Sequence, residues 1–149
     1  SIFSGKDAPA IELQPVNEGT PQFRDIHIKD VVCKGAGTGI FVRGLPEMNI
    51  RDVDMENISI QSKKGFVCTE GDNIKLKNVT LYTEESTVMT LQDSKNIVLD
   101  NIKYKPSDVL IKVSGNRSKD IRLLNTDGTK AKQEIQLGEN VSDKVVIKK

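Results

Sequence analysis

The chain has 149 residues, 29% of them charged, with a formal net charge of +1. That near balance excludes an electrostatic drive toward nucleic acid or an anionic membrane, and no apolar run approaches the roughly 20 residues a membrane helix needs. Trp is absent, Tyr and Phe number two and four, and Val and Ile abound; this suits strands packed in narrow, repeated layers inside a single domain.

The N-terminal SIFSGKDAPA lacks the basic start and apolar core of a signal peptide and has no initiating Met, so it reads as mature, processed or cut from a longer chain. Ile11 and Leu13 follow as the end of a coil. One unit then recurs: two apolar residues alternating with any others, an Asn or Asp, then a second alternating pair. It reads IHIKDVVC from Ile26, VDMENISI from Val53, IKLKNVTL from Ile74, IVLDNIKY from Ile97 in slightly shifted form, and IRLLNTDG from Ile121. A truncated VVIKK starts at Val145.

Between the units lie further apolar runs at Gly39–Val42, Phe66–Cys68, Val88–Leu91, Val109–Ile111 and Ile135–Leu137. Period-two alternation marks each run as a strand with one face inward. Each turn of roughly 23 residues thus carries two strands flanking an Asn and a third after a loop, wrapped around a triangular core and stacked in parallel at about 4.8 Å per coil. The fold expected is all-β, a right-handed parallel β-helix of about five to six coils occupying residues 1–149. Ile26, Ile28, Val53, Met55, Ile74, Leu76, Ile97, Leu99, Ile121 and Leu123 should line one inner sheet.

Asp30, Asn57, Asn78, Asn101 and Asn125 occupy equivalent bends. Asn tolerates left-handed backbone, and stacked carboxamides can hydrogen-bond from coil to coil; the plainer alternative is a set of hydrated turn residues. A leucine-rich repeat has an overlapping period, but places two residues before its Asn where this chain has one between Met55 and Asn57, and has no third strand. Cys33 and Cys68 form no CxxC, and a single His excludes the common zinc spacings. Both cysteines read as small buried hydrophobes, with an inter-coil disulfide as the alternative.

From Thr20 the sequence becomes specific. TPQFRDIHIKDVVCKGA (Thr20–Ala36), then GIFVRGLPE (Gly39–Glu47), together with SGKDAP near Ser4–Pro9, resemble the C-terminal half of glycoside hydrolase family 28, the polygalacturonase family. The likeness is strongest over residues 4–60; beyond them it is mainly one of coil rhythm. It implies a right-handed parallel β-helix, an ancestral inverting hydrolysis of galacturonan, a galacturonan-type polysaccharide partner reached through the full-length enzyme, and a periplasmic or extracellular setting. The family's chemistry uses carboxylates in an N-x-D segment and an Asp-Asp pair, with a Gly-His-Gly and an Arg-x-Lys.

Those motifs precede the C-terminal coils in the family, and this chain is expected to hold none of them. It has no Asp-Asp dipeptide, and its only His, His27, alternates with inward Ile26 and Ile28 and should face water. Asn125-Thr126-Asp127 reproduces the N-x-D letters, but Asn125 falls in the Asn column and Asp127-Gly128 reads as a turn. Gly35–Gly39 follows no strand-then-helix context and lacks the GK[ST] ending, so it reads as a flexible inter-strand turn instead of a phosphate loop. Asp52, Asp54 and Glu56 read as a solvated outer face, Glu70 and Asp72 as turn acids around Gly71, and Lys63-Lys64 and Glu84-Glu85 as turn charges.

No catalytic, cofactor or metal site is therefore assigned. The expectation is a structural C-terminal β-helix segment of a pectin-degrading hydrolase, inactive alone; the alternative is a non-catalytic β-helix module for carbohydrate binding or adhesion. Terminal coils need caps. Lys144, Lys148 and Lys149 around the last strand fit that need, whereas the N-terminal coil edge offers no such device. That contrast leads us to expect either self-association through the N-terminal edge or only weak stability, with order beginning near Pro21.

Overall fold

Alternating Ile, Val and Leu on a repeating chain give strands with one dry face, and such strands are stable only where successive turns cover one another. The structure, a computed structural model, describes Phe3, residues 5–15 and residues 24–149. Its strands are β1 (Ile11–Leu13), β2 (Ile26–Arg43), β3 (Ile50–Thr69), β4 (Gly71–Thr83), β5 (Thr87–Gln92), β6 (Lys95–Tyr104), β7 (Ser107–Ser114), β8 (Lys119–Leu124), β9 (Ala131–Leu137) and β10 (Val146–Lys148). They pair in parallel as a β-solenoid of about five turns. Among the described residues the only helical pieces are two 3₁₀ turns, Gly5–Asp7 and Gly128–Lys130.

Three faces enclose the core. On the first, Ile26, Val53, Ile74, Ile97, Ile121 and Val146 stand in register. On the second, Val31, Ile58, Val79 and Ile102 do so. The third stacks Ile11, Ile40, Phe66, Met89, Ile111 and Ile135. The inner sheet expected from the alternation is present: Val53, Met55, Ile74, Leu76, Ile97, Leu99, Ile121 and Leu123 are buried, while Ile26 and Ile28 in the first coil are half-buried against the core. β2 and β3 run 18 and 20 residues because their ladders continue round the corners of the coil; the third strand follows directly, without the expected loop.

The corners are made by left-handed backbone. Asp30, Asn57, Asn78, Asn101 and Asn125 all have φ between 49° and 59°, which other L-residues adopt at a cost of about 1–2 kcal/mol and Asn or Asp adopt readily. A second column that the sequence reading did not separate lies at the other end of each first-face strand: Asp25, Asp52, Asn73, Asn96 and Asp120, with φ from 51° to 59°. Asp52 is thus a corner residue, not part of an alternating outer face. The carboxamides do link coils. Asn57 Nδ2 donates to Asp30 Oδ1 at 2.6 Å, Asn101 Nδ2 to Asn78 Oδ1 at 2.8 Å, and Asn73 Nδ2 to Asp52 Oδ1 at 2.8 Å. Two members step sideways: Asn125 donates to Asp100 and Asn96 to Asp72, each at 2.9 Å. The ladder is mixed amide and carboxylate, and not a single continuous column.

Further expectations are corrected by packing. Gly35 is an exposed bulge with φ 89°, and Ala36–Gly39 is buried strand, not a flexible turn: Gly37 N–H donates to Ala8 O at 3.0 Å and Ala10 N–H to Thr38 O at 2.9 Å. A Cβ on Gly37 would lie 2.4 Å from Asp7 O, so only glycine admits the N-terminal segment here. The last strand is also one residue out of phase with the expected start, since Val146, not Val145, aligns with Ile121. The GLPE segment is a tight reversal in which Leu45 and Met48 exchange backbone hydrogen bonds of 2.9 Å across Pro46-Glu47. Cys68 is buried, Cys33 only half-buried, and both are free thiols. Before the first coil, β1 pairs with Ile40–Val42 and buries Ile11 and Leu13; the expected ordering boundary near Pro21 lies outside the described residues.

Candidate functional site

The strongest concentration of charge in the interior is a corner between the third and first faces. Glu70 and Asp93 occupy successive turns at left-handed φ, and Gly115 stands at the next with φ 88°. Glu70 is buried and Asp93 nearly so, and Arg117 lies across both. Its guanidinium donates to Glu70 Oε1 and sits 3.3 Å from Asp93 Oδ2, while its backbone N–H donates to Asp93 Oδ1 at 3.1 Å. Glu70 is therefore not a solvated turn acid. Its hydrogen bond raises the Arg117 pKa above the usual guanidinium value. Each carboxylate already has a cation, so neither is left free to protonate a leaving group or activate water. The arrangement works as a clamp joining three coils.

Beside it, Ser94 is fully buried and bonds to the coil on its N-terminal side. Its Oγ lies 3.4 Å from Cys68 Sγ and accepts from Gly71 N–H at 3.1 Å. Burial pushes the Cys68 thiol up to about 12, so at neutral pH it is protonated and a poor nucleophile.

The residues singled out by sequence are dispersed. His27 faces outward and pairs with Asp54 at 3.2 Å on the first face, where Lys29 likewise meets Glu56 at 3.6 Å. Asp127 caps the 3₁₀ turn Gly128–Lys130 and accepts from Thr129 Oγ1 at 2.6 Å and Thr129 N–H at 2.9 Å; these bonds lower its pKa. A carboxylate engaged in this way is a cap, as the turn reading held. One expectation fails at the letter level: Arg117-Ser118-Lys119 does carry an Arg-x-Lys. Arg117 is committed to the clamp, and Lys119 pairs in register with Lys95 at the start of β8. Among the described residues no group of three or more metal-ligating side chains comes together.

The outer surface of the second face is different in kind. Two rows of outward side chains cross it, Val32, Ser59, Thr80 and Lys103 in one, and Lys34, Gln61 and Tyr82 in the other. Lys105 extends the second row, its Nζ 5.4 Å from the centre of the Tyr82 ring. A groove of about 280 Å³ runs along one side between the Asn column and the first row, and another of about 300 Å³ along the other side, past Gln61, Tyr82 and Lys105. Val32 is 77% exposed and Tyr82 37%.

Compared with protein-family models, with curated proteins and with solved structures, the chain matches none.

The assignment of function therefore falls to geometry and residue chemistry. The described residues offer interlocked acids at one corner and an exposed, hydrogen-bonding, cationic surface on one face. The first is suited to holding coils together; the second is suited to contact with a polar polymer.

Proposed function

We propose that the chain forms structural C-terminal coils of a pectin-degrading, polygalacturonase-like β-helix, and that these coils handle polysaccharide without cleaving it. The likeness of Ser4–Pro9, Thr20–Ala36 and Gly39–Glu47 to that family carries the reading. A parallel solenoid is the fold the reading requires, and the coils carry the same rhythm to the end of the chain. Inverting hydrolysis needs one free acid and one free base across the sugar. Glu70 and Asp93 are held by Arg117, and Asp127 is held by Thr129, so catalysis in this reading belongs to other coils.

Two measurements test it. The chain alone should release no reducing sugar from polygalacturonate above a boiled control; release abolished by Asp127→Asn would overturn the proposal. The reading frame upstream of Ser1 should encode Asp-Asp and Gly-His-Gly on the same coil spacing, and a frame without them would favour a freestanding carbohydrate-binding module. That second reading is supported by the exposed second face, with its lysines, amides and Tyr82.

A further inference from the structure

In the two outward rows between the corners of the first face, each lysine has a carboxylate in register: Lys29 beside Glu56, Lys75 beside Asp54, and Lys77 between Glu56 and Asp100. Alternating charges at the coil spacing neutralise that surface. The second face breaks this pattern. Its two outward rows hold Lys34, Lys103 and Lys105 and no acid; Glu84 lines the groove at the end of the second row, beside Tyr82 and Lys105. Among the described residues neither Lys34 nor Lys103 has a carboxylate within ion-pair reach. The nearest corner acid, Asp30, accepts from Asn57.

The same face concentrates exposed apolar surface. Of the three exposed large hydrophobic side chains among the described residues, two, Val32 and Tyr82, lie on it. Between them run Ser59, Thr80 and Gln61, and beside them the amides of Asn57, Asn78 and Asn101. A stacking ring, uncompensated ammonium groups, and hydroxyls and amides repeating every coil thus share one flat strip.

From this combination we infer that the outer face of the second sheet binds an extended acidic polysaccharide lying along the solenoid axis. The lysines pair with uronate or sulfate groups, the Tyr82 ring packs against the apolar face of a sugar, and the hydroxyl and amide rows bond ring hydroxyls. Polysaccharide fits better than nucleic acid because the strip has one ring and neutral donors where a nucleic-acid surface would need several aromatic platforms and denser cation. The inference rests on the polysaccharide reading above for its ligand class. It places the contact away from Glu70, Asp93 and Asp127, the acids weighed above for catalysis, so the two ideas fail separately.

The test is affinity electrophoresis and calorimetry of the 149-residue chain with polygalacturonate, with dextran as the neutral polymer and a single-stranded oligonucleotide as the rival polyanion. Polygalacturonate should bind, dextran should not, and the oligonucleotide should bind more weakly. Lys34→Gln with Lys103→Gln should weaken polygalacturonate binding about tenfold or more, whereas the charge-matched pair Lys75→Gln with Lys77→Gln on the first face should leave at least about half the affinity. Tyr82→Ala should weaken binding by roughly threefold to tenfold, reflecting lost stacking. Ser59→Glu, which sets an acid in the same row, gives an independent variant should the lysine pair fail to fold. The inference is overturned by equal losses from both lysine pairs, by unchanged binding in the second-face variants, by tighter binding of the oligonucleotide, or by no binding to polygalacturonate. The upstream reading frame has no bearing on these outcomes.

Discussion

At Gly115 the backbone adopts φ 88°, and an added Cβ would meet Asp93 Oδ1 at 2.1 Å and Asp93 N at 2.9 Å. Gly35 has nearly the same φ, 89°, with nothing within 4 Å of such a Cβ. The pair separates backbone strain from crowding. Gly35→Ala should cost about 1 kcal/mol of stability and Gly115→Ala about 2–3 kcal/mol in urea unfolding; equal losses would show that the Asp93 contact is relieved cheaply. Cys68 carries a pH signature of opposite sign to that of an acidic cap. Burial raises its pKa in the folded chain to about 12, above the ordinary thiol value of about 9. The contribution is thus fully present below pH 9 and is lost as pH rises toward 12, because only the unfolded thiol ionises there. Cys68→Ala should flatten this alkaline limb. At pH 8 the half-buried Cys33 should alkylate at least about tenfold faster than Cys68 in the native chain.

For the repeating element, the question is whether the Asn column acts through its backbone or through its amides. Asn101 has φ 54° and donates to Asn78 at 2.8 Å. Asn101→Ala should lose about 1–2 kcal/mol, combining left-handed strain with a hydrogen bond near the surface. Asn101→Gly removes the amide but not the conformation. If it restores about half of the loss, both terms contribute; full recovery would reduce the ladder bond to a bystander. The column was legible because Asn or Asp returns at five equivalent bends. The first-corner column escaped notice because Asp25, Asp52 and Asp120 are acids among other surface acids, and only their positive φ separates them.

For the whole molecule, a solenoid is stabilised by nearest-neighbour stacking. Coils covered on both sides should open last. Hydrogen exchange should show the greatest protection at Ile74, Leu76, Ile97 and Leu99, whose side chains are 0–1% exposed, and the least at Val146–Lys148, a strand paired on one side only. Uniform protection across these segments would indicate global cooperativity in place of a gradient. At the C-terminal end Lys148 Nζ pairs with Glu134 at 2.7 Å and Tyr104 Oη donates to Asp127 O. The last coil is therefore tied down by specific bonds.

What the sequence determined by itself was the coil. Period-two alternation is a local property, and its recurrence on roughly 23-residue spacing requires strands that stack. Phase was legible wherever polar residues interrupt the apolar ones, as in Ile74-Lys75-Leu76. It was not legible in Val145-Val146-Ile147, where three apolar neighbours fit either register and only pairing with Ile121 selects one. Tertiary structure alone decided the Glu70–Arg117 clamp, since its partners are 47 residues apart in sequence and meet by stacking. It also decided the burial of Ala36–Gly39, which depends on a segment packed over it from before the first full coil. The unbalanced second face is likewise invisible in a chain of net charge +1. Its lysines are scattered along the sequence, and only the coil register sets them in neighbouring rows without an acid between them.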